Sequence, residues 1–187
     1  NVRLTRFTPD PTWEGRTLAQ ISDMTGKDAV SLIMEIIDRT KDGKGSESIV
    51  CTSMTERDLQ AFIRHPKVMF CSDGSIGGSH PRGAGAFPRI LGRYVRDLKV
   101  LSLQEAIRKM TSLPARRFKL GNRGLIKKGM TADIVVFDPK TIRDTATPAR
   151  PTSLAVGVVD VFVNGRRVLK RGKMTGERGG HVIRRGT

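Results

Sequence analysis

Asp73 and Arg82 stand close together in the sequence, and their setting is the one in this chain best suited to chemistry. An apolar run, Val68-Met69-Phe70, leads into Cys71-Ser72-Asp73-Gly74 and then into a loop carrying Gly77, Gly78, His80, Pro81 and Arg82. This pattern predicts a strand that stops at a carboxylate. An acidic residue at the C-terminal tip of a parallel strand, followed by a glycine-rich loop with a fixed cation, is the layout in which barrel enzymes set a general base beside an anionic substrate. The same residue types also occur without chemistry: an Asp before Gly is a common turn or N-cap residue, and an Arg after Pro in a loop is commonly solvated.

The elements that must position these residues can be read along the chain. Val2 to Phe7 alternates apolar and basic residues and predicts a strand closed by Pro9 and Pro11. Thr17 is placed to cap a short helix ending near Gly26, and Ala29 to Arg39 carries Val30, Ile33, Met34, Ile36 and Ile37 at helical spacing. Ile49-Val50-Cys51 predicts a short strand, followed by a helix capped by Thr55 and ended at His65-Pro66. With the strand to Asp73 this makes a βαβ unit and implies a parallel sheet. Phe87 to Val95 reads as a helix with Pro88 in its first turn, Ser102 opens a helix through Met110, and Pro114 to Phe118 begins another. After Gly121 the pattern turns to short strands at Leu125-Ile126, Ile134 to Phe137, Val158 to Val163 and Arg167 to Leu169. Asn164-Gly165 is a strong hairpin signal between the last two.

Composition narrows the function classes. A hydrophobic share of 37% and a charged share of 28% suit a soluble globular protein. No apolar run approaches the ~20 residues that span a bilayer, so no membrane segment is expected. The chain opens at Asn1 without a signal-peptide layout, which suggests processing or a start within a longer gene. Cys51 and Cys71 lack zinc-knuckle or CxxC spacing and are expected to be buried, reduced thiols of a cytoplasmic protein. The net charge of +16 attracts polyanions and anionic substrates alike. Basic residues are nevertheless dispersed and aromatics make up only 5%, poor material for base stacking. The densest basic stretch, Arg166 to Arg185, faces only Glu177 and reads as a solvated surface. A non-catalytic nucleic-acid-binding module remains an alternative that rests on charge alone.

Two later segments carry a more specific signal. Gly124 to Asp138, with Lys128-Gly129-Met130-Thr131-Ala132-Asp133-Ile134-Val135-Val136, and then Val161-Phe162-Val163-Asn164-Gly165-Arg166-Arg167-Val168, resemble the C-terminal signature of the metal-dependent amidohydrolase superfamily. Cys71-Ser72-Asp73-Gly74, His80-Pro81-Arg82, Gly85 to Tyr94 and Lys109-Met110-Thr111-Ser112-Leu113-Pro114-Ala115-Arg116-Arg117 are similar to its D-aminoacylase branch, the N-acyl-D-amino-acid deacylases. The resemblance implies an α/β fold: the C-terminal part of a (β/α)8 TIM-like barrel over residues 1–120, then a small β-sandwich domain over 121–187. It implies a zinc-dependent hydrolysis of an N-acyl-D-amino acid to a carboxylate and a D-amino acid. Asp73 matches the catalytic aspartate of that branch. Arg82 matches the arginine that grips the substrate's α-carboxylate, with Gly74 and His80 as further substrate-binding positions.

The resemblance also exposes what is lacking. The family's metal ligands include a His-x-His pair, a mid-barrel Cys or Glu and later histidines, whereas this chain has three His and no His-x-His pair. No zinc ligand is therefore assigned here, although zinc is expected for a complete enzyme. The expectation is a C-terminal portion of a deacylase, inactive alone, that needs its missing barrel half or self-associates. A related reading keeps the fold and changes the substrate to a cyclic amide of the hydantoin or dihydropyrimidine type.

Overall fold

A computed structural model describes residues 2–75, 78 and 80–184. Gly77 of the glycine-rich loop and Arg185 of the basic tail lie outside the described residues.

The N-terminal part builds a core of its own. Strand β1 (Val2–Phe7) pairs antiparallel with β2 (Glu47–Cys51), with a bulge between Leu4 and Arg6. Between them lie α1 (Leu18–Thr25) and α2 (Ala29–Thr40). Thr17 caps α1 in a reciprocal box with Gln20, and Asp28 caps α2 through the N–H groups of Val30 and Ser31. These side chains accept donors that have no partner inside the helix. Leu4, Phe7, Trp13, Ile21, Leu32 and Ile36 form the buried cluster, with Phe7 stacked on Trp13 at 5.2 Å and the Arg39 guanidinium facing both rings. The other face of α2 stays open: Val30 is 70% exposed and Met34 61%.

The expected βαβ unit is not formed. β2 is antiparallel to β1, and residues 68–72 join no ladder among the described residues. Apolar composition makes a segment fit for a sheet, but only a neighbouring strand makes it one. Helix α3 (Glu56–Arg64) is present as expected, capped by Thr55 and Asp58 and ended at His65. Both thiols are exposed rather than buried. Cys51 falls on the open face of a two-stranded sheet, where alternate residues meet solvent.

The next helix starts earlier than expected. α4 spans Arg82–Arg89 with Pro81 at its N-cap, so Pro88 stands inside it and not in its first turn. Pro88 has no N–H to return to the preceding turn, and the chain continues as a wider π-helical stretch over Ile90–Asp97, closed by a bond from Leu98 N–H to the Arg93 carbonyl. Helices α5 (Leu103–Met110) and α6 (Ser112–Phe118) follow, the first capped by Ser102. Ile63, Tyr94 and Val100 form one buried cluster. Leu91, Ala106 and Ile142 form another, which draws in Phe137 and Val158 from the strands beyond.

Leu125-Ile126 is irregular, not a strand, and Ile126 is 89% exposed. The strands that do form make one antiparallel sheet in the order β3 (Ile134–Phe137), β4 (Val158–Val163), β5 (Arg166–Lys170) and β6 (Lys173–Met174). Asn164 and Gly165, both at positive φ, make the expected tight hairpin. Arg171 and Gly172 repeat it and add β6, which hydrophobic patterning over two residues could not announce. No helix among the described residues is long and apolar enough to cross a membrane.

Asp160 locks the two hairpins together. Its carboxylate accepts from the Arg171 N–H at 2.9 Å and from the Arg167 guanidinium at 2.7 Å. The backbone bond from Arg171 and then the Arg167 side-chain bond hold its pKa below the ordinary aspartate value. A carboxyl depressed in the folded state stabilises above its unfolded pKa and loses that contribution as pH falls through the folded value. Urea unfolding of the chain should therefore show stability falling as pH drops below about 3.8, the ordinary Asp value. Asp160→Asn should reduce that dependence, and an unchanged pH profile in the variant would remove Asp160 from this role.

Candidate active site

The segment that carries Asp73 leaves α3 at His65 and runs past α5, where the Phe70 N–H donates to the Lys109 carbonyl at 3.2 Å. Asp73 itself adopts a left-handed backbone, φ 45°, a conformation that Asp tolerates better than most residues. The Gly74 N–H then donates to Ser72 Oγ at 3.3 Å. At Gly74 the loop presses on the first turn of α4: a Cβ there would lie 2.3 Å from Gly83 Cα. That backbone crossing requires glycine and brings Asp73 over the start of α4.

Arg82, the first residue of α4, meets it there. Arg82 Nη2 lies 2.9 Å from Asp73 Oδ2, and Arg82 Nε donates to the Asp73 carbonyl at 2.8 Å. The Arg82 N–H donates to His80 Nδ1 at 3.1 Å, which assigns the ring proton to Nε2. Burial, and then the charge of Arg82, push the His80 pKa below its ordinary value against a smaller opposing pull from Asp73. His80 is therefore a neutral donor at neutral pH. Asp73, Arg82 and His80, separated in sequence by the glycine-rich loop, thus form one cluster, and Gly74 permits the crossing that assembles it.

The cluster lies on the wall of a groove of 870 Å³, with Phe70, Phe87 and Ile90 supplying apolar surface in front of the buried Ile63 and Tyr94. Arg89 and Asp144, paired at 2.9 Å, also line it. Asp144 was not singled out from the sequence. It sits in an irregular stretch between β3 and β4 with no motif around it, and only the fold delivers it to the groove. Cys71 lines the groove as well. Among the described residues no group of three or more His, Cys, Asp and Glu side chains is disposed to hold a metal ion, so the residues present do not fit a zinc site.

An exposed carboxylate paired with a guanidinium above an apolar groove can bind an amphiphilic anion and exchange protons with it. Comparison with known proteins narrows the class. The chain is 38% identical over 179 residues to a D-aminoacylase of Alcaligenes xylosoxydans xylosoxydans, covering 95% of this chain and 35% of that protein. It is 37% identical over 187 residues to an N-acyl-D-glutamate deacylase of the same organism, covering 99% of this chain and 36% of that protein. The crystal structure of N-acyl-D-glutamate deacylase from Bordetella bronchiseptica, complexed with zinc and a phosphonate inhibitor that mimics the tetrahedral intermediate, superposes with a TM-score of 0.82 at 37% identity. It covers 98% of this chain and 37% of that one. The chain thus spans little more than a third of the length of each relative and shares their α/β amidohydrolase fold over that span. Residues 2–169 match the amidohydrolase family, and the chain belongs to it.

Proposed function

We propose that this chain supplies the proton-transfer and carboxylate-binding residues of a hydrolase that cleaves the amide bond of N-acyl-D-amino acids, with Asp73 as general base and acid. The observation that carries the reading is the Asp73–Arg82 pair on the wall of an apolar groove, within a chain whose relatives are deacylases of D-amino acids. Those relatives also favour acyl-D-amino acids over cyclic amides as the substrate class.

The pair suggests an order of events. With Asp73 76% and Arg82 46% exposed at the side chain, their ion pair is worth only about 0–1 kcal/mol. Arg82 holds one carboxylate oxygen and the backbone carbonyl of Asp73, whereas a substrate α-carboxylate offers its planar fork two oxygens and displaces the Asp73 side chain at little cost. Asp73 is then free to take the proton of the attacking water and to return it to the leaving nitrogen. His80, neutral with its proton on Nε2, is a candidate donor to the substrate, and Phe70 and Phe87 offer surface for acyl and side-chain carbons.

The zinc expected of a complete enzyme would be held by residues outside this chain. We read residues 1–120 as the C-terminal portion of a (β/α)8 barrel and 121–187 as the β domain beside it. Residues 68–72, which join no strand ladder among the described residues, and the exposed face of α2 support a further part of the barrel as their cover, or self-association in its absence. Alone, the chain is expected to be inactive. The dispersed ion pairs of its arginines, such as Arg89 with Asp144 and Arg167 with Asp160, favour this reading over a basic nucleic-acid module.

In the complete enzyme Asp73→Asn should lower kcat by roughly 10²–10⁴-fold, the usual contribution of a positioned base, with zinc content unchanged. Steady-state rates alongside metal analysis check this, and full activity would end the role given to Asp73. Arg82→Ala should act through KM, raising it by roughly tenfold or more for the loss of a charged hydrogen bond to the substrate. An unchanged KM for acyl-D-amino acids would show that Arg82 does not hold the α-carboxylate.

A further inference from the structure

We infer that Lys109 is a positioning residue for Asp73, seated inside the protein to hold the segment that delivers the carboxylate to the groove. The inference rests on the reading of Asp73 given above. Lys109 lies in the last turn of α5 and has no exposed surface. A buried ammonium is costly unless partnered, and the usual partner is a carboxylate. No described carboxylate forms an ion pair with it, and Glu105, one turn earlier, is engaged by Arg108 at 2.7 Å.

The partners of Lys109 are backbone atoms of the chain that leads to Asp73. Its Nζ donates to the carbonyls of Ile63 and His65, each at 2.6 Å. These lie at the C-terminal end of α3, where carbonyls lack helical partners and the helix dipole is negative. The same ammonium stands 5.6 Å from the centroid of the Phe70 ring, and the Lys109 carbonyl accepts the Phe70 N–H. Arg108 extends the grip with a bond from Nη2 to the Pro66 carbonyl at 2.9 Å. Residues 65–70 are therefore fixed to α5 at successive points, and only about 10 Å of chain separates Phe70 from Asp73. With no strand ladder at 68–72 among the described residues, these contacts take its place. Burial pushes the Lys109 pKa below the ordinary lysine value, with Glu105 opposing, but the amine remains a donor in either protonation state.

The test is amide exchange in the 187-residue chain, which does not depend on deacylase activity. Lys109→Met keeps an unbranched side chain and removes the donors. It should speed exchange at Phe70 roughly tenfold or more, the equivalent of a lost hydrogen bond to a charged group. The amides of β4 should keep their protection. Unchanged exchange at Phe70 overturns the inference. If Lys109→Met does not fold, native-state exchange of the unaltered chain decides: the Phe70 amide must open together with those of α5, and free exchange at Phe70 while α5 stays protected overturns it. In the complete enzyme the same substitution should lower kcat with KM within about twofold, because a displaced base slows chemistry without removing the Arg82 contact. Lys109→Arg should recover part of the lost kcat. If the enzyme lacks deacylase activity altogether, the functional reading fails while the exchange result still stands on its own.

Discussion

The candidate site depends on one backbone crossing. Gly74 passes over Gly83 so closely that a methyl group at Gly74 would overlap backbone, and this contact fixes the distance between the Asp73 loop and the first turn of α4. Given the crossing, Arg82 needs no special reach to meet Asp73, and its own N–H orients His80. The loop alone cannot maintain that clearance. It is tethered at one end by α4, whose start is set by Pro81, and at the other by residues 65–70, which lie against α5. The chemistry proposed for Asp73 is thus held by helices rather than by the strand its sequence suggests.

What the sequence made legible was the local part of this arrangement. Thr17, Thr55 and Ser102 announce helix starts because capping is decided within a few residues. Asn164-Gly165 announces a hairpin for the same reason. The pair of Asp73 and Arg82 was legible as a carboxylate and a cation flanking a glycine-rich loop. Features that depend on distant partners were not. Residues 68–72 have strand composition without a described ladder, β2 pairs backwards onto β1, and Cys51 and Cys71 are exposed because the surfaces over them are open. Lys109, one lysine among many in a basic chain, carries no sequence mark of burial. Its role follows from α5 packing against the end of α3, a contact between segments more than forty residues apart.

The energetics point the same way. Fully burying a Val, Ile or Met side chain is worth about 1.5–3 kcal/mol, yet Val30, Ile33, Met34 and Ile37 leave much of that unrealised on one face of α2. A fold that leaves such a stripe open while it buries an ammonium in α5 is not optimised for the stability of this segment by itself. Replacing buried ionic groups with apolar ones is often neutral or stabilising, so Lys109 is better explained by the geometry it imposes than by the stability it adds.

The weakness of the Asp73–Arg82 pair fits a site that must change partners. A strong, buried ion pair would hold the carboxylate away from any proton it has to accept, and breaking it would cost several kcal/mol. An exposed pair costs little to exchange, so under the proposed function a substrate carboxylate would take Arg82 and release the Asp73 side chain. That economy requires the backbone beneath the pair to stay fixed while the side chains rearrange. The glycine crossing and the carbonyl-bound lysine provide such a support, one below the loop and the other behind the segment that feeds it.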